Sequence, residues 1–117
     1  MIGRGDNNWV DVCHQSELSP GRGKLIEHNG SGIAVYNVKG ELFALEDSCT
    51  HDDFPLLGCG LPQDLVIHGE TITCPRHGAR FSIRTGEALC APACEPLRAF
   101  AVRVEGEIVQ IDPDRDS

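Results

Sequence analysis

At 117 residues the chain is a single domain, with room for a modest core and none for a second catalytic module. Its net charge of -8 and pI near 4.9 exclude a nucleic-acid binder, whose target phosphates demand a basic face. No apolar run approaches a membrane span, and residues 1–10 (MIGRGDNNWV) lack the apolar stretch of an export signal, so a soluble, cytoplasmic protein away from membranes is expected.

The chain then reads as short strands joined by tight turns. Trp9-Val10-Asp11-Val12-Cys13 alternates and is a predicted first strand, followed by a loop over residues 16–23 marked by Ser19-Pro20-Gly21. Residues 24–28 form a second strand. Asn29-Gly30-Ser31-Gly32 is a turn of the kind that needs positive φ, which makes a hairpin with residues 33–38. Lys39-Gly40 turns again into residues 41–46, where polar and apolar positions alternate over most of the length. Three strands joined in this way predict an antiparallel sheet.

Residues 56–64 are punctuated by Gly and Pro, and residues 65–68 turn at Gly69 into residues 70–73. Residues 79–83 and 87–89 make a further hairpin about Arg84-Thr85-Gly86. Two prolines keep residues 91–96 out of any sheet interior. Residues 100–104 and 107–111, joined at Glu105-Gly106, are a closing hairpin, and residues 112–117 read as a frayed polar tail. No internal repeat, low-complexity tract or helix is evident.

The chemistry is concentrated in two boxes, Cys49-Thr50-His51 and Cys74-Pro75-Arg76-His77, each offering one thiolate and one imidazole. A Cys2His2 set is also a common structural zinc site, but zinc fingers usually pair like with like and place the histidines on a helix. Mixed boxes without a helix suit a centre with two chemically different irons, one held by both cysteines and the other by both histidines. Extended to Cys-Thr-His-Asp-Asp (49–53) and Cys-Pro-Arg-His-Gly-Ala-Arg-Phe (74–81), with Arg84-Thr85-Gly86 and Pro92-Ala93-Cys94-Glu95-Pro96-Leu97, the pattern resembles the small Rieske-type 2Fe-2S ferredoxins of bacteria. A zinc module stays as the alternative.

The resemblance implies an all-β Rieske-like fold. Its basal part would be antiparallel strands from about residues 1–45 and 90–117, with a cluster-binding subdomain from about residue 46 to 89 inserted in it. It implies one 2Fe-2S cluster on Cys49, His51, Cys74 and His77, and no catalytic residues. The function implied is one-electron transfer by a monomer, from a flavin-dependent reductase to a terminal oxygenase or other redox acceptor. A carrier linked to iron-sulfur assembly is the other reading, since the boxes also look close to ferredoxins of that kind. A small reductase subunit without ligands fits less well, because all four ligands are present. The chain is too short to add an oxygenase domain with its own two-histidine, one-carboxylate iron site.

Several details follow from the same resemblance. Gly78 would let backbone amides approach the cluster, Phe54 would cover one side of the first loop, and the proline-bearing segment 91–96 would shield a third side. The 22 residues between His51 and Cys74 exceed what is usual in the family by roughly a hairpin turn. High-potential members carry a loop disulfide and a serine and tyrosine after the second box. Here Ala79 and Phe81 stand at the hydroxyl positions, which implies a low potential.

The remaining polar residues receive plainer readings. Cys13, Cys59, Cys90 and Cys94 are small buried filler or inert loop thiols, since a reducing compartment opposes a Cys90–Cys94 bridge. His14, His28 and His68 are surface residues. Asp52 and Asp53 form a solvated face or a docking face, and Arg76 and Arg80 either pair with them or are exposed. An acidic surface suits a carrier that docks on basic partners, and equally a protein that merely stays in solution.

Overall fold

The computed structural model describes residues 9–49, 54–76, 78–90 and 95–116. Its strands are β1 (Val10–His14), β2 (Gly23–His28), β3 (Ser31–Val38), β4 (Glu41–Glu46), β5 (Ile67–His68), β6 (Thr71–Thr73), β7 (Arg80–Ser82), β8 (Ala88–Cys90), β9 (Ala99–Glu105) and β10 (Ile108–Asp116). They form a six-stranded sheet in the order β1-β10-β9-β4-β3-β2 and a four-stranded meander β5-β6-β7-β8, with every pairing antiparallel. The all-β expectation holds. The only helical structure among the described residues is three single 3-10 turns, Gln15–Glu17, Leu57–Cys59 and Gln63–Leu65.

Strand β3 explains how one sheet serves two cores. Its run Ile33-Ala34-Val35-Tyr36 is apolar without interruption, and successive side chains of a strand point to opposite faces. Ile33 and Val35 therefore enter one cluster with Leu18, Ala44, Phe100, Val109 and Ile111. Ala34, Tyr36 and Val38 enter the other, with Leu45, Leu56, Val66, Ile72, Phe81 and Ile83. The first cluster is lined by the six-stranded sheet and by Leu18 of the β1–β2 connection; the second joins that sheet to the meander.

The meander lies within the segment between β4 and β9, which are neighbours in the large sheet through Ala44 opposite Phe100 and Leu45 opposite Ala99. The chain thus leaves and re-enters the large sheet at adjacent strands. Arg84 ties the two sheets further: its guanidinium meets Glu41 of β4 at 2.7 Å and Glu70 of the β5–β6 turn at 3.1 Å, and lies 5.2 Å from the Phe43 ring centroid. Being exposed, these pairs act on orientation more than on stability.

Two sequence expectations are corrected. Residues 112–116 are not a frayed tail but the continuation of β10, with Asp112 opposite Ala101 and Asp116 opposite Phe100. A bulge between those two pairs accommodates Pro113, which has no N–H to give to a ladder. Asp112 is buried there and turns the chain by accepting from the Asp114 N–H at 3.0 Å. In the second correction, Leu65 belongs to a 3-10 turn and is 57% exposed, leaving only Ile67–His68 as strand. The turn before β3 is also tighter than expected. Asn29 and Gly30 alone take positive φ, and Ser31 already pairs with His28.

Candidate metal centre

Each sequence box opens a loop at the end of a strand. Cys49 lies three residues beyond β4, and Cys74 directly follows β6. The two loops close alike: the Cys49 N–H donates to the Phe54 carbonyl at 2.8 Å, and the Cys74 N–H donates to the Ala79 carbonyl at 2.7 Å, five residues on in both cases. The second loop has a further bond from the Gly78 N–H to the Cys74 carbonyl at 2.9 Å. Gly78 sits at φ 78°, a conformation that costs glycine little. Both cysteines are fully buried in the cluster shared by the two sheets.

One buried cysteine is ordinarily apolar filler. Two of them, each opening a loop with the same closing bond and each followed two or three residues later by a histidine, are a donor set suited to a soft metal centre. His51 and His77 themselves lie outside the described residues, as do Thr50, Asp52 and Asp53.

Asp47 organises the approach to the first loop. Its own N–H donates to the Gly32 carbonyl at 2.9 Å, which fixes it to the start of β3. Its carboxylate accepts the Leu57 N–H at 2.6 Å and the Gly58 N–H at 2.9 Å, capping a 3-10 turn ten residues away. Burial raises the Asp47 pKa, and the backbone donors of Leu57, Gly58 and Leu56 oppose that rise. Gly58 has no room for a side chain, because a Cβ there would crowd Leu25 and the Asp47 carboxylate.

Beside the second loop lies a groove of about 230 Å³ lined by Phe54, Cys59, Leu61, Pro75 and Arg76. The Arg76 guanidinium stands 5.3 Å from the Phe54 ring centroid. Phe54 is partly buried and packs on the cluster that contains both cysteines. The far end of the same segment is pinned by Gln63, whose side chain accepts the Gly23 N–H and donates to the Gly23 carbonyl, both at 2.9 Å.

Other residues singled out in the sequence are dispersed. Cys13, Cys59 and Cys90 are free thiols, and the Cys90 thiol donates to the Gly78 carbonyl at 3.5 Å. Cys94 and the first part of the proline-bearing segment are outside the described residues. Arg80 is exposed on β7. His14 does more than cover surface: it caps the first 3-10 turn by accepting from the Ser16 N–H, and its other ring nitrogen lies 2.6 Å from Glu107. The roles of Asp47 and Gln63 had no sequence signal, since their partners lie ten and forty residues away.

Comparisons with known proteins agree on one family. The Rieske [2Fe-2S] domain model matches residues 8–101. The chain is 41% identical over 101 residues to the ferredoxin component of biphenyl 2,3-dioxygenase from Rhodococcus jostii (strain RHA1), covering 86% of this chain and 89% of that one. It is 35% identical over 107 residues to the biphenyl dioxygenase ferredoxin subunit of Pseudomonas sp. (strain KKS102), covering 92% and 94%. Among solved structures, it superposes with a TM-score of 0.80 on a chain of the complex of reduced oxygenase and oxidized ferredoxin in carbazole 1,9a-dioxygenase, at 31% identity over 93% of this chain and 95% of that chain. The ferredoxin of carbazole 1,9a-dioxygenase from Nocardioides aromaticivorans IC177 gives a TM-score of 0.77 at 29% identity, covering 90% and 97%.

Proposed function

The chain belongs to the Rieske [2Fe-2S] domain family, and from that premise we propose that it is a one-electron carrier that delivers electrons to a terminal oxygenase. The observation that carries the reading is the pair of matched loops, each opened by a fully buried cysteine. In this reading Cys49 and Cys74 hold one iron of a single 2Fe-2S cluster, and His51 and His77 hold the other. When bound, that cluster would supply one reversible electron, the two thiolates donating more charge to it than the two imidazoles.

The protein's own residues do the rest. The closing bonds from Cys49 to Phe54 and from Cys74 to Ala79 fix the shape of both loops. Leu56, Val66, Ile72 and Phe81 share one buried cluster with both cysteines and keep water from it. The segment of about residues 46–89 acts as the cluster-binding subdomain on a base made of the rest. A flavin-dependent reductase is the donor, the carrier acts as a cytoplasmic monomer, and it performs no turnover of its own. No helix among the described residues is long and apolar enough to cross a membrane.

Metal analysis and EPR of the purified protein test the reading. Two irons and two acid-labile sulfides per chain, with a Rieske-type EPR signal after reduction, are expected. One zinc and no sulfide would overturn it. Cys49→Ser and Cys74→Ser should each abolish the signal.

A further inference from the structure

We infer that the groove formed by Phe54, Cys59, Leu61, Pro75 and Arg76 seats an apolar side chain from a basic face of the electron-accepting oxygenase, with Leu61 as the residue that selects this partner. The inference rests on the carrier reading above and adds a surface to it.

The segment from Leu56 to Val66 lies between the two boxes, and it is held at both ends. Asp47 takes the Leu57 and Gly58 N–H groups, and the Gln63 amide makes two bonds to the edge residue Gly23. Between these anchors the chain presents Leu61 at 43% exposure. Ordering a leucine and then leaving it in water adds little to folding, since apolar stabilisation scales with the area removed from water. The same ordering prepares a surface for a partner that completes the burial.

Position identifies which partner. Pro75 and Arg76 stand between Cys74 and His77 in the chain, so a protein that approaches the second box also covers the groove. Charge narrows its chemistry. The chain carries 18 Asp and Glu against 10 Lys and Arg, a net charge of -8, which complements a basic face. Among the described lining residues Arg76 carries the only charge, and it stands over the Phe54 ring. The seat is therefore largely apolar, on a chain of net negative charge. The step served is simple: one electron leaves the reduced carrier and enters the oxidised oxygenase, with no bond made or broken.

The test uses reduced holoprotein and, as probe, the oxygenase of carbazole 1,9a-dioxygenase, followed by stopped flow. Leu61→Ser should lower the second-order transfer rate about tenfold by removing a seated apolar side chain, and Leu61→Met should restore most of it. Val104→Ser, at an exposed apolar site on β9, should leave the rate within twofold. The EPR signal, the midpoint potential and the rate of reduction by a flavin-dependent ferredoxin reductase should be unchanged in all three. Equal transfer rates for wild type and Leu61→Ser, including no transfer by either, overturn the inference. So does a fall in the reductase rate instead of the oxygenase rate. A wild-type protein with no Rieske EPR signal would instead overturn the carrier reading itself.

Discussion

Glu46 and Arg98 are joined by two hydrogen bonds: the Glu46 N–H donates to the Arg98 carbonyl at 2.9 Å, and the Arg98 N–H donates to the Glu46 carboxylate at 2.7 Å. They stand one residue outside the last paired positions of β4 and β9, where the chain leaves the large sheet and returns to it. Glu46→Ala keeps the first bond and loses the second. A loss of about 1 kcal/mol is expected, since the site is partly solvated. Glu46→Gln should recover most of it. Urea unfolding measures the change, and hydrogen exchange should show faster opening at residues 95–98 than in β1 and β10.

Two glycines separate conformational strain from crowding. Gly86 has φ 81°, and a Cβ there would collide with the Leu97 carbonyl, while Gly78 has φ 78° and open space among the described residues. In the metal-free chain Gly78→Ala should therefore cost the left-handed penalty of about 1–2 kcal/mol. Gly86→Ala should cost more, because Leu97 is itself held by a 2.7 Å bond from its N–H to the Gly86 carbonyl. Equal midpoints for the two variants in chemical denaturation would show that Leu97 can move aside.

Tyr36 is 1% exposed, and its hydroxyl has no hydrogen-bond partner among the described residues. Burial, and then the nearby Asp47 carboxylate, raise its pKa well above the ordinary tyrosine range. The folded state therefore keeps a proton that the unfolded chain releases above pH of about 10. The resulting stability is full below that pH and is lost as pH rises through the higher folded value. Tyr36→Phe should be neutral to about 1 kcal/mol more stable at pH 7, because an unpaired hydroxyl is removed. It should also flatten the alkaline limb of the pH–stability curve. An unchanged alkaline limb would assign that limb to other groups.

By the resemblance to the Rieske-type ferredoxins, the residues after the second box are expected to bear on reduction potential. Ala79 and Phe81 are fully buried and offer no hydroxyl. Each missing donor of about 1–3 kcal/mol corresponds to about 40–130 mV for a one-electron couple. A wild-type potential of roughly -150 mV, at the low end of the Rieske range, is expected. Ala79→Ser combined with Phe81→Tyr should raise it stepwise in a redox titration. A wild-type value above about +100 mV, or no rise in the double variant, would show that another interaction controls the centre.

What was legible in the sequence was local. Alternation and two-residue turns located most of the strands, and the mixed Cys/His boxes identified the family from ligand types and spacing. Pairings between distant segments were not legible. Nothing near Asp47 indicates that it caps Leu57–Cys59, because sequence capping signals assume a cap adjacent to its helix. Residues 112–116 look like a charged tail, yet a bulge at Pro113 lets them extend β10. The Gln63 amide occupying the open edge of β2 at Gly23 is likewise a product of tertiary folding.

Strand β3 is the common wall of both apolar clusters, through Ile33 and Val35 on one side and Ala34, Tyr36 and Val38 on the other. Neither cluster can melt alone without exposing a face of the strand that the other still needs. The protein should accordingly unfold in one cooperative transition, and wear in the part farthest from the metal boxes will be felt at them. A truncation such as Val35→Ala, whose side chain touches only the distal cluster, should shorten the lifetime of the bound centre as much as it lowers global stability.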